Sequence, residues 1–474
     1  MTALHEWTTL LGERATKHTG PYTQNVTEFQ ARSIPAMLQP VSTDEVRQIV
    51  AIAAKHHAPL YPISTGKNWG LGSRLPIKDG CAIVDLSFMD KVLEINEDLL
   101  YAVIEPGVTQ RQLADALKGS PCMLNITGSG QHTSVLGNAL ERGSGVLGQR
   151  TYEVRGLEAV LGNGDLIRTG HWAFGQAEDS VWHHHPEGCG PDITGLFFQS
   201  GFGIVTKAVI GLYPKQNIEL ALVQSTDSEL AEHIDSLRQL RQIHVLRDRI
   251  EVNREDDPRL TGLGRTPKSG AWLTWLALWG DSSLNAPVKD RVSAMFQNVT
   301  FYSAADDNLP EPAIVRLRKL SGEPGDEYVH ALARRPIDSG SPFAFDSDTS
   351  AAGFVCVLPT IPFTGQHVRK ALSVMERVDA ALGIQSHLTF NSVTASGLEG
   401  FFRVLFDRTD KKQVAGAHAW AKQAQKELAA AGFQPARTSV DNMYYDSGHA
   451  DMISILKRAI DPASIISPGR YIPD

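Results

Sequence analysis

The densest concentration of chemistry in this 474-residue chain is Pro62-Ile63-Ser64-Thr65-Gly66-Lys67-Asn68-Trp69-Gly70-Leu71-Gly72-Ser73. Glycines let a backbone turn tightly, and short hydroxyl residues let consecutive N–H groups converge on one point. Such a nest binds an anion, typically a phosphate, and Lys67 adds a charge beside it. The spacing excludes two familiar phosphate loops, because neither GxGxxG opening a helix nor GxxxxGK[ST] occurs. A plain turn is the alternative for any glycine-rich loop taken alone. Two more glycine-rich regions follow, at residues 128–145 and 190–207. Backbone must therefore approach something large, or itself, at several places. His183-His184-His185 raises the question of a metal. Consecutive strand residues face opposite ways and no carboxylate or cysteine stands at useful spacing, so a solvated loop is expected and no metal site.

These loops need elements to hold them. Residues 43–57 read as a helix, with Ser42 or Thr43 as cap, Asp44 and Glu45 in the first turn, and Val46, Ile49, Val50 and Ile52 inward. A strand at 59–62 then leads into the first loop. Residues 32–40 also read as a strand, and short β-branched runs stand at 81–86, 91–96 and 101–107, before a helix at 109–117. Residues 154–167 read as a hairpin turned by Asn163-Gly164. Beyond about residue 215 the glycines thin out and helical periods recur at 228–242, 286–297, 365–382 and 411–431. Residues 303–348 are rich in Pro, Asp, Gly and Ser and read as a long loop, either a lid or a surface insertion. The charged stretch 238–257 reads as an exposed helix and loop.

Composition bounds the class. Hydrophobic residues at 42% and charged residues at 21% are those of a globular protein, with length for two or three domains. A net charge of −8 without a basic cluster argues against nucleic-acid or acidic-membrane partners. No signal peptide and no apolar span of membrane length are visible. The four cysteines, Cys81, Cys122, Cys189 and Cys356, lack metal or disulfide spacing. A soluble, cytoplasmic protein is expected.

Six motifs in order resemble one family: PISTGKNWGLGS (62–73), EPGVT (105–109), SVLGNALERG (134–143), GLEAVLGNGDLIRTG (156–170), GPDITGLFFQSGFGIVTK (190–207) and DPASIISPGR (461–470). The chain resembles the FAD-binding flavoproteins of the vanillyl-alcohol oxidase and p-cresol methylhydroxylase type, in their 4-hydroxybenzyl-oxidase-like branch rather than the berberine-bridge or cytokinin branches. The resemblance implies an α+β, two-domain PCMH-type fold. Residues 1–215 would form the FAD-binding domain, 216–439 a cap of antiparallel sheet plus helices over the substrate, and 440–474 a return to the FAD domain. It implies that Ser64, Thr65, Gly66, Lys67 and Asn68 hold the FAD pyrophosphate. Glu105, Pro106, Gly107, Ser134, Gly137, Asn138 and Gly143 would line the cofactor channel, Ile204 and Val205 would contact the cofactor through main chain, and Arg470 would lie toward the isoalloxazine. A cation there stabilises the anionic reduced flavin; a surface arginine after a turn is the alternative.

Departures from the pattern concern function more than the matches do. The covalent flavin of these relatives is carried by a cap-domain histidine or tyrosine, and the matching position is Phe354. The histidine of other branches matches Asn68, and their cysteine falls near Leu124, two residues from Cys122. Non-covalent FAD is expected. Two tyrosines, an arginine and an aspartate of the family's phenol site match Leu71, Ala436, Arg437 and Ser129, so only the arginine survives. Losing the two hydroxyl donors removes charge-assisted bonds worth about 1.5–3 kcal/mol each. The ordinary 4-alkylphenol is then a poor substrate.

Arg437, His387, Tyr444, Tyr445 and His132 remain as catalytic candidates. Arg437 would anchor an anionic or carbonyl-bearing substrate, and a histidine would accept a hydroxyl proton during hydride transfer. His387 and Asn391 would share a cap strand with one face to the flavin. Packing is the alternative for the tyrosine pair and for both histidines. The implied activity is an FAD-dependent oxidase or dehydrogenase taking a hydride from an alcohol, amine or activated C–H of a moderately apolar, aromatic small molecule, with dioxygen or another acceptor and a homodimer as the assembly. The alternatives are a 4-hydroxybenzyl or 4-alkylphenol enzyme with a rearranged pocket, and a flavin-binding protein that has lost redox activity.

Overall fold

The computed structural model describes residues 2–23, 25–175, 180–261, 270–333, 346–443 and 450–472. Its helices form where the pattern demands them. Ser42 caps Thr43–His56 by accepting from the Glu45 N–H, and Val46, Ile49, Val50 and Ala53 are buried. That helix leads into Leu60–Ile63, which pairs in parallel with Ala82–Asp85, itself parallel to Ala36–Leu38. Ala15–Lys17 adds an antiparallel edge, giving four strands. The expected strand at 32–40 is two pieces, Arg32–Ser33 and Ala36–Leu38, because Pro35 interrupts the ladder.

A second sheet of five antiparallel strands runs in the order Leu166–Arg168, Val154–Leu161, Gly203–Gly211, Tyr101–Ile104, Val92–Asn96. Its Asn163-Gly164 turn has Gly164 at φ +90°, as the hairpin reading requires. Thr109 and Gln112 form a capping box on Gln110–Ala116.

Residues 218–437 contain an eight-stranded antiparallel sheet, ordered Asn298–Ser303, Ile218–Thr226, Ala271–Trp279, Glu251–Arg254, His387–Ser392, Gly397–Asp407, Ala352–Pro362, Pro435–Arg437. Helices Leu230–Gln242, Gly365–Leu382 and Lys411–Ala430 bury their apolar stripes in one core with this sheet, around Trp420, Met375, Phe390 and Phe402. The sheet's other face looks toward the glycine-rich loops. Helix Ala450–Ile460 then returns to the first half, where Ile453, Ile460 and Ile472 join its core.

Three expectations are corrected. Residues 303–348 are not one loop: Glu311–Leu320 and Glu327–Leu332 are helical, since Ala313, Val315, Leu317 and Leu320 keep a helical period inside a Pro- and Gly-rich frame. Residues 334–345 lie outside the described part. The charged stretch is not all exposed: Asp248, Glu251 and Asp257 are buried, since the nearby Arg259 and the distant Arg316 and Arg403 pair with them. His183 is also buried, against Tyr101, Trp172 and Glu94, whereas His184 and His185 are exposed. Among the described residues no group of His, Cys, Asp and Glu could hold a metal, and no helix is long and apolar enough to cross a membrane.

Candidate functional site

The 62–73 loop leaves Leu60–Ile63 and runs between the two halves. Gly70, at φ +82°, lies so close to the cap strand that a Cβ there would fall 2.6 Å from the Phe354 ring and 2.9 Å from Cys356 Sγ. On the loop's other side is a channel lined by Ser64, Thr65, Gly66, Lys67, Asn68, Pro106, Ser134, Gly137, Asn138, Val205 and Arg470. Ser134 shapes its wall: Oγ donates to the Pro106 carbonyl at 2.6 Å and accepts from the Gly137 N–H at 2.9 Å, capping Val135–Leu140. A Cβ on Gly137 would fall 2.0 Å from Ser64 Oγ, so glycine is what lets that helix approach the loop. Burial lowers the Lys67 ammonium below its usual range, and its Nζ stands 5.2 Å from the Trp69 ring centre. Arg470 closes one end, paired with Glu141 and the Tyr61 hydroxyl. Neither partner is evident from sequence. Glu105, Gly107 and Ile204 are not on the channel wall. Glu105 accepts from the Lys91 N–H at 2.9 Å, Gly107 packs on the Ser87 carbonyl, and Ile204 is in the core with Val160 and Ile466.

Beyond the loop, against the cap sheet, lies a second cavity. Strand register builds it: Glu251 pairs with Asn391 and Asn391 with Glu399, so these three side chains form a row on one face. Leu71, Phe354, Cys356, Leu358 and Phe401 supply apolar wall, and Gly143 and Ser129 also border it. Burial pushes the Cys356 thiol up to about 12, so it is wall and not nucleophile. Arg437 borders both cavities. Its Nη2 donates to Asn68 Oδ1 at 2.7 Å, and its buried Nε has no protein acceptor. Glu399 shares this wall at 8% exposure; burial raises its carboxyl above the ordinary range, with Arg437 and Arg249 opposing. A carboxyl poised this way can take up a proton.

The other catalytic candidates are placed as follows. Asn391 borders the cavity, but His387, four residues earlier on the same face, does not; burial, with Arg403 opposite, holds its imidazole down at about 4. His132 is also off both walls, its imidazole lowered by burial. Tyr444 and Tyr445 lie outside the described residues. Glu399, Tyr328, Arg249 and Arg259 border the cavity without having been singled out in the sequence. Glu399 was findable from the period-2 pattern once its strand was placed beside Asn391. Tyr328 carries no such signal, since the Pro and Gly just before Glu327–Leu332 give that stretch a loop composition.

An FAD binding domain family matches residues 34–170. The chain is 31% identical to 1'-carboxy-chondrochloren decarboxylase of Chondromyces crocatus, over 92% of this chain and 90% of that one. It is 26% identical to the 4-cresol dehydrogenase [hydroxylating] flavoprotein subunit of Pseudomonas putida, over 94% and 88%. Its fold matches p-cresol methylhydroxylase with substrate bound at a TM-score of 0.89, with 24% identity over 99% of this chain and 96% of that one. It also matches a 4-ethylphenol oxidase from Gulosibacter chungangensis at 0.85, with 23% identity over 99% and 96%. The chain belongs to the PCMH-type FAD-binding flavoproteins of the vanillyl-alcohol oxidase family, and is an FAD-dependent oxidoreductase of small molecules. The channel suits that cofactor: Asn138 Oδ1 and Glu141 Oε2 are buried acceptors without a protein donor, and Ser64, Thr65 and Lys67 line the same wall.

Proposed function

We propose that this enzyme holds FAD without a covalent bond and oxidises an alcohol, amine or activated C–H of a small, moderately apolar, aromatic molecule. The observation that carries this is Arg437, shared by the channel and the cap-side cavity, with a buried Nε still lacking an acceptor. FAD bound in the channel supplies the two-electron acceptor for the substrate hydride. Ser64 to Asn68 would hold its pyrophosphate, and Arg470, also on the channel wall, would lie toward the isoalloxazine. Arg437 orients an electron-rich oxygen of the substrate, and Glu399 takes the proton that leaves. Leu71, Leu358 and Phe401 exclude water around the reacting carbon. Phe354 at the wall supports the non-covalent reading, because its ring offers no atom to bond. Residues 216–439 act as the cap, and 1–215 with 440–474 as the cofactor domain. A homodimer, a cytoplasmic location and dioxygen or another acceptor complete the reading; they rest on the family resemblance and the scattered cysteines.

Oxidation with loss of carboxylate is a second reading. It is favoured by the 31% identity to a protein named as a decarboxylase.

Anaerobic mixing of the holoenzyme with a panel of aromatic alcohols, amines and acids tests the function. A productive substrate bleaches the oxidised flavin band, and Arg437→Gln slows that bleaching by about 100-fold if one charge-assisted contact is lost. No bleaching across the panel would leave a flavoprotein without redox activity. Acid precipitation tests the linkage: colour left in the supernatant agrees with it, and colour in the pellet overturns it.

A further inference from the structure

The cavity has a second end, away from Arg437. There, four arginines share three buried carboxylates through ion pairs among the described residues. Arg249 and Arg259 contact Glu251 at 2.7 and 3.1 Å, Arg259 and Arg403 contact Asp257 at 2.8 and 2.5 Å, and Arg316 reaches Asp248 at 3.8 Å and Glu251 at 3.4 Å. Burial works to raise the Glu251 carboxyl, but Arg259, Arg249 and Arg316 outweigh it and pull it to about 2. Lys319, 1% exposed, lies beside the cluster with Nζ 3.4 Å from the Tyr328 ring centre, and pairs with the buried Glu327 at 3.9 Å. Burial and Arg318 hold that ammonium well below its usual range. The four arginines thus outnumber the three carboxylates they share, and desolvation makes the unmatched charge costly.

The cavity surface carries groups to match. Tyr328 and Asn391 border it together with Arg249 and Arg259. The Asn391 carboxamide is 5% exposed and its Oδ1 has no partner. Turned by half a rotation, its NH2 points where the oxygen now stands. Arg249 Nε is also buried without an acceptor.

We propose that this cap-side end, bounded by Arg249, Arg259, Tyr328 and Asn391, is a carboxylate-binding subsite, so that the substrate is a small apolar acid gripped at both ends. The carboxylate accepts from Tyr328, from Asn391 and from Arg249, and supplies the anion that the arginine cluster lacks. Glu399 stands on the same wall and would repel the ligand, so the ligand binds with the Glu399 carboxylate turned to Arg437. This rests on the cavity being the substrate site, as proposed above, but not on any turnover.

The test titrates FAD-loaded enzyme with benzoate and phenylacetate, and with the neutral benzamide and phenylacetamide, following the flavin difference spectrum. The acids are expected to bind at least tenfold more tightly than the amides. Tyr328→Phe and Asn391→Leu should each cut that preference several-fold, with FAD content and circular dichroism unchanged. Equal affinity for acids and amides overturns the proposal. So does a preference that survives both substitutions yet disappears in Arg437→Gln, which would put the anion at the flavin end. The titration needs only bound FAD, so a failed bleaching assay sinks the proposed reaction and leaves this result standing.

Discussion

At the residue scale, the site works by leaving a few buried polar atoms without protein partners while satisfying the rest. Arg437 donates to Asn68, and its buried Nε has no protein acceptor. Asp348 shows the opposite use of a carboxyl. Its Oδ1 accepts from the Val26 N–H and from Ser73 Oγ, both at 2.7 Å, tying the amino-terminal segment and the end of the 62–73 loop to one cap residue. Burial raises it from 3.8 to about 6. Folding therefore favours its neutral form. The stability it lends is complete below about pH 4 and is lost as the pH rises through 6. Asp348→Asn should be more stable than the parent at pH 7, and this advantage should vanish near pH 4. Thermal melts of both proteins between those values check it; a gap that does not change with pH would refute the assignment.

At the element scale, the cap sheet combines an apolar face with a charged one. The helix side is packed with Trp420, Phe390 and Phe402. The cavity side carries Glu251, Asn391 and Glu399 in register and the arginines around Asp257. Breaking a buried pair from one side leaves an uncompensated charge. Asp257→Ala, which strands Arg403 and leaves Arg259 with Glu251 alone as ion partner, should cost about 3–5 kcal/mol. Urea denaturation of the holoenzyme measures it, and a loss under about 1 kcal/mol would mean that water already screens the cluster. The two helices within 303–348 matter for the same region, because Glu327–Leu332 carries Tyr328 to the cavity. Their period was present in the sequence but was outweighed by the surrounding Pro and Gly.

At the scale of the molecule, the chain's last segment completes its first sheet. The Leu60 N–H donates to the Ile465 carbonyl at 2.7 Å and the Ser467 N–H to the Leu60 carbonyl at 2.8 Å, beside the start of the 62–73 loop. Lys457 and Asp461 lock the turn, with Asp461 accepting from the Ile465 and Ile466 N–H groups at 3.0 and 2.8 Å. Ending the chain at residue 440 should therefore give protein that neither stays in solution nor retains FAD, as size-exclusion chromatography with absorbance detection would show; a soluble yellow product would contradict it. The sequence by itself determined the family and most helices, because glycine spacing, caps and apolar period are local signals. It also marked Phe354 and Leu71 as departures, since those are single-position comparisons. Only the tertiary structure decided which polar groups meet. Glu399 beside Arg437, Tyr328 and the arginine network join residues far apart in sequence, as Arg403 meets Asp257. Their register across strands, and the burial that shifts their protons, have no local signature in the chain.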